Sequence, residues 1–292
     1  MPNHTQTPLI VGFVADLMFT VKIESVAERL NYAVRWIGRA DQLVPGELEP
    51  PDQNPAEHLS GAGMVLVDQL TRWHPALILI DLSNQAIPWR DWLPMLKTVP
   101  ATRRIPVICF GSHVDVDTMK TARSCGAEAV LARSRFVSDL PDLILRYARV
   151  PDYKAIEEAC KLPLSPLALK GLEEFNQGEY FEAHESLEDA WNEDQSVGRD
   201  LYRAILQVAV AYLQIERGNY NGAVKMFFRM RQWIDPLPAT CRGVDIARLR
   251  ADAEQVRLAL MAYGPDKILE LDQSLFKPVI YEVKDDIGHT GA

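Results

Sequence analysis

The sequence predicts two fold classes in one chain, an α/β domain followed by an all-α domain. Over residues 1–150, short apolar runs alternate with helical patterns five times, which is typical of a five-stranded, doubly wound parallel sheet. Over residues 165–283, helical patterns follow one another with short connections, which indicates a multi-helix bundle. Residues 151–164 are predicted to be a linker, and residues 284–292 a polar, frayed tail.

The α/β prediction is built from short strands and the helices between them. The strands are apolar runs of the kind buried on both faces of a parallel sheet, namely Leu9–Val14, Ala33–Ile37, Leu77–Ile80, Ile105–Phe110 and Ala127–Leu131. The helical patterns are Val21–Leu30, Met64–Trp73, Trp92–Lys97, Asp117–Cys125 and Asp139–Ala148. A Pro- and acid-rich stretch without periodicity, residues 39–60, is predicted to be a loop.

The second half is read as helices from end to end. The predicted helices are Ser165–Asn176, Tyr180–Asn192, Asp200–Arg217, Gly222–Ile234, Ile246–Tyr263 and Pro265–Asp272. Asp200–Arg217 is apolar nearly all round, so we expect it to be the central helix of the bundle.

Composition excludes several classes of protein. The four cysteines lie far apart with no C-x-x-C, which argues against a disulfide scaffold and a cysteine-rich zinc module. No apolar run approaches the roughly 18 residues of a membrane span, and the N-terminus lacks the basic segment of a signal peptide. We therefore expect a cytoplasmic protein that does not bind membranes.

Charge is distributed unevenly. Of the net −9, residues 1–150 contribute −1 (15 basic, 16 acidic) and residues 151–292 contribute −8 (16 basic, 24 acidic). An acidic second half argues against nucleic acid as a partner, because nucleic-acid-binding domains carry a basic footprint.

Polar groups gather where the predicted strands end, and parallel sheets bind ligands at that edge. Asp16, Asp81, Ser112 and Arg133 lie at these ends. With the segments LILIDL, IPVICFGS and CGAEAVLARSRF, residues 8–149 resemble a response-regulator receiver domain of the flavodoxin-like fold. The resemblance implies a phosphoacceptor at Asp81, Mg²⁺ bound by Asp16 and Asp81, and signalling through a phosphorelay of bacterial type.

The receiver pattern is only partly kept. The acidic pair after the first strand is reduced to Ala15–Asp16, the Ser/Thr position falls on Gly111 or Ser112, and Arg133 or Ser134 stands where receivers have Lys. A lost carboxylate weakens a Mg²⁺ site, and a lost Lys removes a point charge on the phosphate. The sequence therefore predicts a degenerate receiver. For Asp81, a carboxylate that ends a strand is a simpler interpretation than a phosphoacceptor.

The segment FNQGEYFEAHESLEDAW, residues 175–191, places charged groups in an apolar helical stripe. At 100° per residue, Phe181, His184, Glu188 and Trp191 fall within about 80° of one another, and Glu185 lies on their flank. Charges that face a core must be paired, liganded or neutralised.

The following helix offers partners for these charges. Arg203 and Gln207 lie one turn apart on one face, and we expect them to meet His184, Glu185 and Glu188 in a buried network. Residues 173–194 hold nine acidic and no basic residues, whereas residues 217–231 hold four basic and no acidic ones. We expect these two helices to pack together, and favour this over a nucleic-acid face.

A metal site is the alternative for this motif. His184–Glu185 begins like a zinc-protease motif, but Glu188 stands where the second His would be, so a His-Glu-Glu site completed by water is the remaining metal hypothesis. The structural network is favoured over it.

Three ordered motifs carry a second resemblance. They are F-N-x-G-x-Y-F-E-A-H-E-x-L-E-x-x-W, R-x-x-x-Q at Arg203 and Gln207, and G-N-x-x-G-A from Gly218. With them, residues 168–232 resemble the helical family catalogued as domain of unknown function 309. The family often has a His near the end of the central helix, where this chain has Tyr212-Leu213-Gln214, and this departure counts against a metal.

These observations favour a regulatory protein over an enzyme. We expect a receiver-like domain coupled to a helical binding or output module, with a protein partner. The resemblance to receivers also implies that the chain forms a homodimer. The alternatives are an enzyme using His184, Glu185 and Glu188 with Arg203 holding an anion, and a plain interaction scaffold without a switch. No catalytic residues are assigned, because no nucleophile and base form a complete constellation. No cofactor is assigned beyond the Mg²⁺ that the receiver resemblance implies at Asp16 and Asp81.

Overall fold

The computed structural model of the chain describes residues 7–43, 59 and 61–283. The chain divides into two compact units, one up to Val150 and the other from Pro151. Most of the predicted 39–60 loop and the whole predicted tail lie outside the described residues. Along the described ranges, no helix combines the length and apolar character needed to cross a bilayer.

The first unit contains a parallel five-stranded sheet. Its strands are β1 (Leu9–Phe13), β2 (Ala33–Trp36), β3 (Leu77–Asp81), β4 (Val107–Gly111) and β5 (Ala129–Ala132), in the spatial order β2-β1-β3-β4-β5. This is the doubly wound, flavodoxin-like order, and it confirms the predicted fold class. β3 and β4 are buried along their whole length, as expected for central strands with helices on both faces.

Helices follow each strand of the first unit. They are α1 (Leu17–Arg29), α2 (Gly61–Trp73), α3 (Trp89–Thr98), α4 (Val116–Ser124) and α5 (Arg133–Tyr147). α1 and α5 pack against the same side of the sheet, where Phe110 of β4 stacks on Phe136 of α5 with ring centroids 4.1 Å apart. This packing brings the start of α5 to the carboxyl ends of β3 and β4.

The second unit is a bundle around one buried helix. Its helices are α6 (Tyr153–Ala159), α7 (Pro166–Asn176), α8 (Tyr180–Glu193), α9 (Asp200–Glu216), α10 (Tyr220–Ile234) and α11 (Ile246–Tyr263). α9 packs against both α8 and α10 and is buried nearly all round, which confirms its predicted central place. Pro265–Glu270 forms a 3₁₀ helix. The segment predicted as linker contains α6.

A short hairpin, absent from the sequence prediction, joins α10 to α11. Its strands are β6 (Thr240–Cys241) and β7 (Val244–Asp245), with Arg242 at φ 54° and Gly243 at φ 86° between them. Two positive φ values are typical of a type I′ turn. A Cβ at Gly243 would lie within van der Waals radii of the Glu282 carbonyl, so this position requires glycine.

Candidate functional site

The Asp81 carboxylate is paired with an arginine. Asp81 is the last residue of β3 and is 2% exposed. Nη2 of Arg133 lies 2.9 Å from Oδ2 and 3.1 Å from Oδ1 of this carboxylate. The Ser83 amide also donates to Oδ1, at 2.9 Å. Because a buried carboxylate needs a cation and hydrogen-bond donors, these contacts account for how Asp81 is held.

Strand register explains why Arg133 reaches Asp81. β3, β4 and β5 are neighbours, with Asp81 beside Phe110 and Gly111 beside Ala132, so their carboxyl ends are level. α5 begins at Arg133, directly after β5. The guanidinium carbon lies 5.2 Å from the centroid of the Phe19 ring, which adds a cation–π contact.

Asp16 and Ser112 make local contacts after β1 and β4. Asp16 is exposed and caps α1, accepting a hydrogen bond from the Met18 amide at 2.9 Å. Ser112 is half-buried, and its carbonyl accepts from the Asp115 amide at 3.2 Å. Within the described ranges, no three His, Cys, Asp or Glu side chains are placed to hold a metal ion. The donor set around Asp81 therefore does not fit the Mg²⁺ that the receiver resemblance implies.

The predicted inward stripe of α8 is wrong. The buried residues of this helix are Tyr180, Ala183, Ser186, Leu187 and Ala190. Relative to the predicted stripe, this face is rotated by about 100°, roughly one residue. This face is buried because its small side chains let α8 approach the neighbouring helices closely.

The acidic members of the predicted network are not buried. Phe181 is 47% exposed and the Glu188 side chain 54%, and Glu185 is also exposed. His184 is half-buried, with Nε2 3.9 Å from Oε2 of Glu188. The expected buried network of these groups is therefore corrected to an ion pair at the edge of α8, available only when His184 is protonated.

Arg203 instead packs between two indole rings. Its guanidinium carbon is 4.2 Å from the centroid of Trp191 on α8 and 4.4 Å from that of Trp233 on α10. Arg199 also lies over Trp191, at 4.8 Å. We call Arg199, Trp191, Arg203 and Trp233 the cation–π ladder. Guanidinium groups stack well on indole faces, so the ladder ties α8, α9 and α10 together.

The oppositely charged helices do not pack on each other as predicted. α8 and α10 each pack on α9. On the face of α9 that carries Arg203, the guanidinium contacts one indole from each of these helices. Gln207, one turn further along that face, is 4% exposed.

A buried arginine and its polar partners, next to a disulfide, were not predicted from the sequence. Cys160 and Cys241 form the disulfide, although the cysteine spacing gave no reason to expect one. Arg242, the next residue, is 5% exposed, and its Nη2 lies 2.8 Å from Oγ of Ser196 and 2.7 Å from Oδ2 of Asp194. The dipeptide Arg242-Gly243 after Cys241 is the one sequence signal for the turn that positions this side chain.

A second buried charge network joins α10 to α11. Arg231 Nη2 lies 2.9 Å from Oε2 of Glu254, and Arg257, which is 1% exposed, donates to both Glu254 oxygens at 2.7 Å. Burial raises the pKa of Glu254, but the two guanidinium groups outweigh it and lower the pKa to about 2. Sequence reasoning missed this network because i, i+3 charge pairs are usually solvated.

Part of the second unit matches a known family model. Residues 168–226 match the model described as Domain of unknown function (DUF309). The match runs from α7 into α10 and includes His184, Glu188, Trp191 and both Arg203 and Gln207. A comparison with curated proteins found no match.

The first unit is similar to receiver domains of known structure. It matches the receiver domain of sensor histidine kinase PA1611 from Pseudomonas aeruginosa at 15% identity, covering 48% of this chain and 96% of that one, with a TM-score of 0.36. It also matches the cyanobacterial phytochrome response regulator RcpA at 15% identity, covering 50% and 99%, with a TM-score of 0.37. Response regulator RPA3017 of R. palustris matches at 17%, covering 49% and 98%, with a TM-score of 0.34.

The predicted two-part organisation is confirmed. The first unit has the receiver-like strand order, and the second contains the DUF309 match. Chemically, the Asp81 site is a neutralised ion pair, whereas the ladder of the helical unit presents stacked cations.

Proposed function

We propose that the chain is a regulatory protein whose receiver-like unit acts without phosphorylation of Asp81 and whose helical unit binds its partner. The observation that carries this proposal is the contact of one Arg133 nitrogen with both oxygens of the buried Asp81 carboxylate. A phosphoryl donor and its metal would have to reach the same two oxygens that this nitrogen contacts.

The chemistry of acyl-phosphate formation supports this interpretation. Phosphoryl transfer depends on metal ions that neutralise charge on the transferred group, and Mg²⁺ binds through carboxylates with near-octahedral geometry. Ala15 lacks the second carboxylate, and Asp16 caps α1. The Arg133 guanidinium places a permanent positive charge beside Asp81, where a receiver would bind its metal ion.

The helical unit is the better candidate for output. The exposed face of α8 carries Phe181 among acidic side chains, while α10 carries the basic ones. We favour a protein partner for the regulatory complex. An enzyme centred on His184 is disfavoured, because Glu185 and Glu188 lie at an exposed edge where their charges are solvated.

Beryllofluoride with Mg²⁺ tests the first unit directly. The amide spectrum of the full chain is recorded with and without both reagents. We expect the resonances of residues 7–150 to stay unchanged. Saturable shifts around Asp81 would show that the carboxylate accepts a phosphoryl analogue and would overturn the proposal.

A restored variant provides the positive control. Ala15→Asp together with Arg133→Lys rebuilds the acidic pair and the Lys of the receiver pattern. We expect this variant to respond to beryllofluoride, and Asp81→Asn in the same background to abolish the response. A response in the parent equal to that of the restored variant would contradict the role assigned to Arg133.

A further inference from the structure

A segment near the C-terminus lies against an aromatic groove of the bundle. We call residues 276–282 the strap. The ring of Phe276 stacks on that of Tyr212 in α9, with centroids 4.2 Å apart and planes 6° apart. It also meets the Tyr180 ring of α8 edge-on, with centroids 6.1 Å apart. Val279 is 2% exposed. Two apolar side chains, three positions apart, therefore anchor the strap.

The Asn176 side chain binds the strap through its backbone. At the end of α7, Asn176 donates from Nδ2 to the Val279 carbonyl at 3.0 Å, and its Oδ1 accepts from the Val279 amide at 2.7 Å. Two residues exchange both bonds in the same way across an antiparallel sheet. This contact depends on an extended backbone and not on which side chain the bound residue carries.

The hairpin β6–β7 binds the next part of the strap in a similar way. The Asp245 amide donates to the Ile280 carbonyl at 2.9 Å, and the Glu282 amide donates to the Gly243 carbonyl at 3.0 Å. Together with the Asn176 contacts, four hydrogen bonds hold the strap by its main chain.

Side chains of the strap alternate between buried and exposed. Val279 is buried, whereas the Ile280 side chain that follows is 52% exposed, as in a strand bound on one face. In peptide recognition by β-augmentation, main-chain hydrogen bonds give affinity and pockets for particular side chains give specificity. The strap is held in this manner, by a backbone track and two side-chain anchors.

The groove belongs to the part of the chain that matches the family model, and the strap does not. Asn176, Tyr180 and Tyr212 all lie within residues 168–226, whereas the strap lies beyond them. The matched domain therefore supplies the groove, and a later segment of the same chain fills it.

We propose that this groove is a peptide-binding site, which the strap fills in cis and from which an extended segment of a partner protein displaces it. The partner segment carries an aromatic residue and, three positions later, a β-branched one, as the strap does at Phe276 and Val279. A tethered segment has an effective concentration on the order of mM, so the strap excludes weakly binding peptides. The inference rests on the proposed function in making the helical unit the binding unit.

Hydrogen exchange of the full chain tests whether the strap opens on its own. A displaceable segment opens without unfolding of the unit that it covers. We expect the amides of Val279 and Glu282 to exchange at least about 100-fold faster than the buried amides of α9. Equal rates would mean that the strap opens only when the whole unit unfolds, and would overturn the proposal.

A fluorescent peptide of residues 273–283 tests binding in trans. Its anisotropy is titrated with the full chain, as the parent and as Phe276→Ala, whose helical content is checked by circular dichroism. Because the variant strap is loosened, we expect it to bind the peptide at least about tenfold more tightly than the parent does. A peptide with the same Phe→Ala change should not bind. Equal affinity of the variant and the parent would overturn the proposal.

Two further variants control this experiment. Ile280→Ala shortens an exposed side chain of the strap, and it should bind the peptide as the parent does. If Phe276→Ala loses helical content, Phe276→Leu replaces it, since leucine keeps an apolar side chain at this position but cannot stack on Tyr212. A gain in affinity with Ile280→Ala equal to that with the Phe276 variant would contradict the role of the aromatic anchor.

Asn176 identifies the groove as the site. In the Phe276→Ala chain, Asn176→Ala is expected to weaken binding of the peptide at least about tenfold. Gln177→Ala removes the exposed amide of the next residue and should leave the affinity unchanged. Equal losses for the two variants would overturn the site. Beryllofluoride is followed at amides of the first unit and the peptide by its anisotropy, so the failure of either proposal is distinguishable from that of the other.

Discussion

Arg133 sets what the Asp81 carboxylate can do. Removing this side chain with Arg133→Ala leaves a buried carboxylate with the Ser83 amide and without its cation. Breaking a fully buried ion pair costs about 3–5 kcal/mol, and the Arg133 side chain is 36% exposed, so water recovers part of this. We expect a loss of about 1–3 kcal/mol in the free energy of unfolding of the first unit, measured by urea denaturation.

Arg135→Ala is the matched control for this loss. Arg135 lies on the same helix and pairs with Asp139, but its side chain is 75% exposed. Exposed pairs contribute about 0–1 kcal/mol. If the two variants lose the same free energy of unfolding, the burial of Asp81 does not account for the contribution of Arg133 to stability.

Single residues of the Asp81 site could be found in the sequence, but their contacts could not. Asp81 ends a wholly apolar run, and that pattern predicts a buried strand with a carboxylate at its end. The pairing with Arg133 bridges residues 52 apart in sequence, and it depends on the level ends of three strands. The sequence pattern therefore predicts that both residues lie at one edge of the sheet, but it does not predict their ion pair.

At the scale of elements, the cation–π ladder links three helices through Arg203. Arg203→Lys keeps the charge but replaces a planar group with a compact ammonium, which stacks less well. We expect the free energy of unfolding of the helical unit to fall by about 1–2 kcal/mol in guanidinium denaturation. Arg217→Lys, at the exposed end of α9, should change it by less than about 0.5 kcal/mol.

The junction of α10 and α11 gives a pH dependence. In the folded chain the pKa of Glu254 lies at about 2, below its ordinary 4.5. A depressed pKa contributes stability that is present above pH 4.5 and lost as the pH falls toward 2. We expect Glu254→Gln to cost about 1–2 kcal/mol at pH 7, allowing for solvent screening of this partly exposed group, and the cost to vanish near pH 2.

The pKa of Asp235 is shifted in the opposite direction from that of Glu254. Burial raises its pKa to about 6, against the charges of Arg250 and Arg231. A raised pKa contributes stability that is present below pH 3.8 and lost as the pH rises through 6. Asp235→Asn should therefore flatten the dependence of stability on pH between pH 4 and 7, whereas Glu254→Gln should lower stability by a nearly constant amount above pH 4.5. Parallel profiles for the two variants would contradict this assignment of the charges.

The boundaries of α8 followed from periodicity, but its orientation did not. The pattern predicted a helix over Tyr180–Asn192, and the structure has Tyr180–Glu193. Its buried face is formed largely by Ala183, Ser186 and Ala190, which are small and contribute little to a hydrophobic pattern. The pattern was therefore dominated by the larger Phe181 and Trp191, which lie on a different face. What buries these small residues is the close approach of neighbouring helices, which no local pattern reports.

At the scale of the whole molecule, the change from one fold class to the other was predictable because each half repeats its own period. Strand and helix alternate in the first half, and helical periodicity is continuous in the second. The hairpin β6–β7 was not predictable, since its strands of two residues are too short to show a period. Nor was the disulfide, which joins positions 81 residues apart.

That disulfide predicts unequal responses of the two units to reduction. Cys160 and Cys241 both belong to the helical unit, and a loop of this length restricts the unfolded chain by roughly 4 kcal/mol in the entropy model. We expect dithiothreitol, or Cys160→Ser, to lower the free energy of unfolding of the helical unit by about 2–4 kcal/mol. The first unit, followed through its own amide resonances, should be unaffected.

The buried Arg242 cluster determines how far reduction disturbs the fold. The contacts of Arg242 with Asp194 and Ser196 do not involve the sulfur atoms, so we expect the hairpin to remain attached to the bundle after reduction. Stable disulfides are typical of oxidising compartments, whereas the sequence analysis expects a cytoplasmic protein. Thiol titration of protein purified without reductant measures whether the Cys160–Cys241 disulfide is formed. Two reactive thiols in the native helical unit would mean that the hairpin keeps its place without the disulfide, through Arg242 and the backbone hydrogen bonds of the hairpin.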